Sequence, residues 1–342
     1  MRDYRQPSSY AALNGKSILI TGGTGSFGQH FIERVLRDAA PSRVIVFSRD
    51  EFKQFEMQQN PTFGWHRALR YFIGDVRDAD RLDLAMRGVD IVVHAAALKH
   101  VSAAEYNPFE CIRTNVHGAE NVVRAALRAK VGRVLALSTD KAVNPINLYG
   151  ASKLAADKIF IAANNLSGTD DVRFSVVRYG NVIGSRGSVV PLFQRLLAEG
   201  ARELPVTDER MTRFWITLTQ GVDFVVDCLA CMQGGEILVP KIPSMRITDL
   251  VRAMAPGVPL RSIGIRPGEK LHEALITRDD ARLTLEMDDR YIVKPTFAFT
   301  MKDPVIDYGG RPVPEDFHYE SSDNKEWLDV AGLQKLFTEG HV

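Results

Sequence analysis

The stretch Ile18-Leu19-Ile20-Thr21-Gly22-Gly23-Thr24-Gly25-Ser26-Phe27-Gly28 decides the fold. A run of strand-forming residues enters a glycine-rich turn, and the turn opens an amphipathic segment over residues 27–39. Gly23, Gly25 and Gly28 satisfy G-x-G-x-x-G in the setting that gives the motif meaning, after a strand and at a helix start. Glycines there let backbone N–H groups approach a pyrophosphate, and the helix N-terminus favours its negative charge. Gly22, Thr24, Gly25, Ser26, Phe27 and Gly28 are therefore read as a dinucleotide cradle.

Outward from this turn, short apolar runs alternate with amphipathic stretches. Strands are expected at Ser17–Thr21, 43–47, 70–73, Ile91–His94, 133–138, 173–178 and 236–240, and helices at 27–39, 107–130, 149–165 and 217–232. Most of the runs carry too few polar residues for one wet face, which suits a parallel sheet covered on both sides. The expected fold is α/β: a doubly wound parallel sheet of about seven strands with a smaller, discontinuous substrate-binding lobe. Residues 13–180 plus 215–240 form the nucleotide-binding domain in this reading. Residues 181–214 plus 241–342 form the lobe and the C-terminal tail, where Pro, Gly and single charges are more frequent. In the tail, Ser322 is expected to cap a short amphipathic helix.

The 342 residues are 45% hydrophobic and 25% charged, the balance of a soluble globular protein. The 43 basic and 42 acidic residues leave a net charge of +1, which speaks against a general nucleic-acid binder. No apolar run approaches the roughly 18 residues of a membrane span, and the opening MRDYRQPSSYAALNGK lacks the apolar core of a leader peptide. Three cysteines exclude a disulfide framework and fit a reducing cytoplasm. Cys228 and Cys231 make a lone C-x-x-C inside GVDFVVDCLACM and are read as buried helix thiols. With no second pair and no H-x-x-x-H among the eight histidines, no metal is expected.

The end of the second strand selects the cofactor. A site that prefers NAD usually places Asp or Glu there for the ribose 2′-hydroxyl. Here Ser48-Arg49-Asp50 ends the strand and Lys53 follows one turn later. Arg49 and Lys53 suit a 2′-phosphate, one as a planar fork and one as a point charge, so NADP is expected. The other reading is a solvated loop, with Asp50 and Glu51 adjacent. Asp75-Val76 after the third strand lies where the adenine would sit.

Tyr149 and Lys153 form Y-x-x-x-K at a helix start, which stacks both side chains on one face. The Lys ammonium is expected to bond the nicotinamide ribose and to lower the Tyr phenol toward a phenolate-like base. Upstream, the strand 133–138 leads into Thr139, whose hydroxyl can share the substrate alcohol. Asp140 and Lys141 follow at once. A plain dehydrogenation does not need them; an elimination does, with one group taking the acidic C5 proton of a 4-ketohexose and the other protonating the departing C6 hydroxyl. For that role Lys141 must be neutral, so its ordinary value of about 10.4 is expected to be lowered by burial and by the oxidised cofactor. A simple loop ion pair is the alternative.

Six segments extend these readings: STDKAVNPINLYGASK (138–153), FSRDEFKQ (47–54), AAALKHV (95–101), RYGNVIGSRGSVVPLF (178–193), TDERMTRFWIT (207–217) and RPGEKLHE (266–273). Together they resemble the inverting UDP-N-acetylglucosamine 4,6-dehydratases, extended members of the short-chain dehydrogenase/reductase superfamily that begin pseudaminic acid synthesis in bacteria. The resemblance runs from about Leu13 to the C-terminal helix. It implies NADP held by Thr24 to Phe27, by Ser48, Arg49, Asp50, Glu51, Phe52 and Lys53, and by Asp75, Val76, Ala95 and Thr114. Asn115 lies on the same cofactor-side helix, and Tyr149 and Lys153 are the superfamily pair. It implies Asp140 as acid, Lys141 as base at C5 and Lys99 as a substrate contact beside the nicotinamide. Asn181, Gly187, Ser188, Val189, Val190 and Pro191 match the start of the sugar-nucleotide lobe, with Val182 on the cofactor side. Leu204 to Val206 would face uracil through the backbone, and Arg266 and Glu269 would meet the diphosphate and ribose. A homo-oligomer built on dimers, up to a hexamer, is also implied.

Neighbouring classes fit less well. Retaining enzymes on dTDP-glucose carry Asp-Glu where this chain has Asp140-Lys141, and the large retaining enzymes on UDP-N-acetylglucosamine usually carry membrane spans. Relatives making fucosamine or quinovosamine precursors usually place Met at the position of Tyr149. A 4-epimerase lacks the Asp-Lys pair, and a silent NADP-binding scaffold has no need of the whole set.

Overall fold

The structure, a computed structural model, describes residues 1–64, 66–168, 170–184, 187–296 and 307–338. Ser185 and Arg186 of the 178–193 segment lie outside the described residues.

Seven parallel strands carry the molecule: β1 (Ser17–Thr21), β2 (Arg43–Ser48), β3 (Leu69–Ile73), β4 (Ile91–His94), β5 (Arg133–Thr139), β6 (Arg173–Tyr179) and β7 (Ile237–Pro240). Their order across the sheet is β3-β2-β1-β4-β5-β6-β7. All five residues of β1 and all four of β4 are buried, as strands covered by helices on both faces must be. The order reverses between β1 and β4, and the C-terminal ends of the strands open a crevice there, the place where such sheets bind ligands.

The sheet is larger than the sequence reading of about seven strands. Arg290–Val293, Thr284–Glu286 and Arg311–Pro312 add three antiparallel strands beyond β7. The sequence reading places these segments in the lobe. They are two to four residues long, too short to show a period of their own.

The expected helix over 107–130 is divided. Pro108–Ile112 passes into a π-helical turn at Arg113–His117 and then into Gly118–Ala129, which ends at Lys130 in the left-handed conformation. Ser322 caps no helix: its hydroxyl donates to Glu320 at 2.7 Å. The Ser244 N–H donates to the Glu326 carbonyl and the Ser244 carbonyl accepts from the Leu328 N–H, both at 2.8 Å, a bridge to Trp327 that keeps this stretch extended. The helix therefore starts later, at Val330–Thr338, with Asp329 accepting from the Gly332 N–H at 2.8 Å. Cys228 is buried as expected, but Cys231, in the last helical turn, is exposed.

A second core of Val190, Phe193, Leu204, Trp215, Met245 and Leu250 holds the lobe together. The C-terminal helix closes this core with Leu333 and Leu336. Two small sheets frame it: Asn181–Val182 with Thr212–Ile216 and Ser244–Arg246, and Leu204–Val206 with Leu260–Ser262.

His94 ends β4 almost wholly inside, sharing a 2.8 Å hydrogen bond with Thr21 Oγ1 and packing against Phe160. Burial, with a smaller contribution from Lys153, pushes its imidazole down to about 3. The native state thus keeps His94 neutral where the unfolded chain, titrating near 6.5, takes a proton. Its contribution is complete above about pH 6.5 and is lost as pH falls toward 3, at up to about 1.4 kcal/mol per pH unit. A His94→Asn variant is expected to lose less stability than the parent between pH 6 and 4 in urea melts; parallel slopes for the two proteins would reject this account.

Candidate active site

The crevice is a cavity of about 780 Å3, with the cradle turn at one end and the β5 loop at the other. Gly22 adopts φ +68°, and a Cβ there would lie 3.0 Å from the Ala96 backbone. A Cβ on Gly28 would lie 2.6 Å from Gly23 Cα, so the helix Ser26–Asp38 can start only with glycine against the turn. Among the described residues no side chain caps that helix, which leaves its first N–H groups to the cavity. These features fit a pyrophosphate.

Around the nucleotide end, Thr24 and Ser48 share a 2.8 Å hydrogen bond. Arg49 lies 3.6 Å from Asp75, and Lys53 lies 2.7 Å from Asp50, whose carboxylate also caps the helix Glu51–Gln59. Both cations are half-exposed and border the cavity, as do Asp75, Val76 and Ala95. Glu51 and Phe52 do not border it; they lie on the exposed side of their helix. The Thr114 hydroxyl is buried in the cavity wall without a hydrogen-bond partner among the described residues, at the π-helical turn. Asn115 beside it grips the Leu98 backbone at 2.8 and 3.0 Å and Ser152 at 2.9 Å, fixing the loop that carries Lys99 along the cavity.

At the other end, β5 passes into a single 3-10 turn, Asp140–Ala142. Asp140 is fully buried. Its Oδ1 accepts from Thr139 Oγ1 at 2.9 Å and from Lys141 Nζ at 3.0 Å, and its Oδ2 has no partner among the described residues. The Lys141 amine borders the cavity and lies 3.3 Å from a second buried carboxylate, Glu273.

Two electrostatic expectations need correction. Burial alone would push the Lys141 amine down, but Asp140 and Glu273 outweigh it and hold the amine above its ordinary value. Burial pushes the Tyr149 phenol up to about 12. The cation acting against that rise is Lys141, not Lys153. Lys153 donates instead to the Leu137 carbonyl at 2.6 Å, and its own amine is pushed down by burial.

The lobe residues divide. Asn181, Val182, Gly187 and Ser188 border the cavity, and Asn181 Oδ1 and Ser188 Oγ are buried without partners among the described residues. Val190, Leu204 and Val206 point into the second core, with Val189 packed against it and Pro191 in the same helical turn. One edge of Leu204–Val206 is taken by Leu260–Ser262. Arg266 and Glu269 sit 3.6 Å apart on a separate loop, with Arg266 exposed.

Two residues that place the site received no role in the sequence reading. A Cβ on Gly150 would lie 2.1 Å from the Lys141 carbonyl oxygen, so the helix Leu148–Ala162 and the Asp140–Ala142 turn meet backbone to backbone. Glu273 ends the 266–273 segment but gives no sequence signal of its partner, since it lies 132 residues from Lys141. Gly150→Ala is expected to displace the turn by about 1 Å and to cut turnover by about 10²-fold. Dinucleotide affinity, measured by calorimetry, should stay within a few-fold; full activity in this variant would mean the turn tolerates displacement.

The family described as "Polysaccharide biosynthesis protein" matches residues 18–295. An inverting UDP-N-acetylglucosamine 4,6-dehydratase of Campylobacter jejuni is 54% identical over 335 residues, covering 96% of this chain and 99% of that one. The structure of Pen from Bacillus thuringiensis is 36% identical, with a TM-score of 0.86 and coverage of 96% and 99%. A dTDP-glucose 4,6-dehydratase from Streptomyces venezuelae, solved with NAD and TYD bound, is 27% identical with a TM-score of 0.65, covering 75% of this chain and 86% of that one. Sequence and fold agree from the cradle turn through the lobe, and the chain belongs to the family of inverting UDP-N-acetylglucosamine 4,6-dehydratases.

Proposed function

We propose that the chain dehydrates UDP-N-acetylglucosamine at C4–C6 with inversion at C5, giving UDP-2-acetamido-2,6-dideoxy-β-L-arabino-hexos-4-ulose, with NADP as its resident cofactor. The observation that carries this reading is Lys141 at the cavity, its amine beside Tyr149 and 3.0 Å from the fully buried Asp140, whose Oδ2 has no partner among the described residues. The Gly22 to Gly28 turn would hold the pyrophosphate, and Arg49 and Lys53 the 2′-phosphate, exchanging their present carboxylate partners for it. When bound, the cofactor supplies the two-electron oxidation at C4 and the matching reduction at C6.

The side chains move the protons. Tyr149 takes the proton of the C4 hydroxyl while Thr139 shares that hydroxyl, and the Lys141 ammonium favours the phenolate this requires. One proton passing from Lys141 Nζ to Asp140 across their 3.0 Å contact then makes an amine and a carboxylic acid at once. The amine takes the C5 proton, and Asp140 gives its proton to the departing C6 hydroxyl, which leaves as water. A proton returns to C5 on the opposite face, for which Tyr149, now protonated, is available. Lys141 and Asp140 end in the charge states in which they began.

We assign cofactor binding to residues 13–180 plus 215–240 and sugar-nucleotide binding to 181–214 plus 241–342. The same reading includes a cytoplasmic homo-oligomer built on dimers. Exposed Tyr106 and Phe109 offer apolar area for such a contact, and among the described residues no helix is long and apolar enough to cross a membrane.

Incubation with UDP-N-acetylglucosamine should give a 4-keto product whose C5 configuration, read by NMR, is inverted, and deuterium placed at C4 should appear at C6. Stoichiometric release of reduced cofactor would sink the reading. Lys141→Met should lower dehydration by roughly 10²–10⁴-fold and abolish solvent deuterium entry at C5, while Asp140→Asn should slow loss of the C6 hydroxyl more than C5 exchange. Replacing Arg49 and Lys53 by Ala should weaken NADP about tenfold or more per residue, at roughly 1.5–3 kcal/mol for each charge-assisted contact, and leave NAD nearly unchanged in fluorescence titrations. Equal losses for both cofactors would reject the 2′-phosphate assignment.

A further inference from the structure

We propose that Glu273 is a positioning residue for the proton-transfer step: from the lobe, its buried carboxylate holds the Lys141 amine at the cavity and stabilises the ammonium formed when that amine takes a proton from carbon. The inference rests on the function proposed above and deepens it.

The geometry is specific. Glu273 Oε1 lies 3.3 Å from Lys141 Nζ, and Glu273 is almost wholly buried. Its Oε2 has no hydrogen-bond partner among the described residues and lies 3.8 Å from Lys270. The backbone on either side is pinned. The Glu273 N–H donates to Ser321 Oγ at 2.9 Å, and the Ser321 N–H returns a bond to the Glu273 carbonyl at 2.8 Å. Ser321 Oγ in turn shares a 2.7 Å bond with Thr212. Two residues on, the Leu275 carbonyl accepts from Arg178 at 3.1 Å, and Arg178 also faces buried Asp157. The backbone that carries Glu273 is thus tied to Ser321 and Arg178, which fixes the point from which its carboxylate reaches Lys141.

The groups facing Lys141 are Asp140 on its own turn, Tyr149 on the adjoining helix, Arg213 on a lobe strand, and Glu273 with Lys270 on the loop. Asp140, Lys141, Glu273 and Lys270 sum to zero as an ion-pair quartet. They also sum to zero once Lys141 has passed its proton to Asp140, because Glu273 keeps Lys270. When a C–H bond at C5 then breaks, its proton forms an N–H bond on Lys141 and the electron pair moves into the enolate. The new ammonium appears 3.3 Å from a carboxylate that needs no rearrangement. Without Glu273 the same charge would form in a buried site with Arg213 nearby and only Asp140, by then a neutral acid, against it.

The test reads Lys141 directly. Protein labelled with 13C at lysine Cε is titrated by NMR, and Lys141→Met identifies the resonance. In Glu273→Gln the Lys141 midpoint is expected to fall by roughly one to three units, the usual effect of an opposite charge at this range. Glu273→Asp, which keeps the charge, should restore most of the shift. A midpoint in Glu273→Gln within a few tenths of a unit of the parent would overturn the proposal. This arm needs no substrate, so failure of the dehydratase reading would show separately, as absence of turnover in the parent protein. With UDP-N-acetylglucosamine, the rising limb of the pH profile for C5 deuterium exchange should move to lower pH in Glu273→Gln; a uniform loss with no displacement would mark Glu273 as structural only. NADP affinity, unchanged in both variants, confirms that they fold.

Discussion

Everything at the reaction end of the crevice depends on one close approach, the meeting of Gly150 with the carbonyl of Lys141. No side-chain atom fits between the first turn of Leu148–Ala162 and the 3-10 turn after β5. The phenol of Tyr149 and the charged pair of Asp140 and Lys141 therefore take their spacing from two backbones in contact rather than from flexible side chains. The lobe is tied to the same place: Asn147 donates to the Gly268 carbonyl at 2.7 Å, and Lys270 donates to the Val143 carbonyl at 2.6 Å. Such rigidity matters wherever reacting groups must hold their spacing, because displacements of about 1 Å are costly in rate.

The same turn explains why one lysine can serve two partners. On the function proposed above, Lys141 as an ammonium would ease the loss of the Tyr149 proton, and as an amine it would serve as a base. Burial acts on both groups in opposite senses, pushing the phenol up and the amine down, and for Lys141 it is outweighed. Neighbouring carboxylates decide the outcome, so the charge state of Lys141 is a property of the pairings around it.

The parts legible in sequence were those written in local pattern. The apolar run before Gly22, the helix start after Gly25 and the spacing of Tyr149 to Lys153 each report a structure within a dozen residues, and strand edges fell within a residue or so of their observed ends. What sequence could not supply was made by long-range contact. The three added strands are too short to show alternation. Ser322 looks like a helix cap until the pairing of the chain near Ser244 holds that stretch extended. The expected lowering of the Lys141 amine followed from burial, which pattern can suggest; the opposing carboxylate of Glu273 comes from a loop that no spacing rule connects to β5.

The strands beyond β7 also bear on how the protein behaves in a crowded solution. A parallel sheet ending at β7 would present a row of unpaired N–H and C=O groups along an apolar strand, an invitation to pair with another chain. Arg290–Val293 and Thr284–Glu286 cover that row in antiparallel register, and the outermost strand is only Arg311–Pro312, both residues exposed, one charged and one without an N–H to offer. At the opposite margin, β3 carries the exposed Arg70. The margin beyond β7 is thus finished with residues that discourage edge-to-edge growth, and shortening the chain within 284–312 would strip that protection and favour aggregation even where the Asp140–Ala142 turn stayed intact.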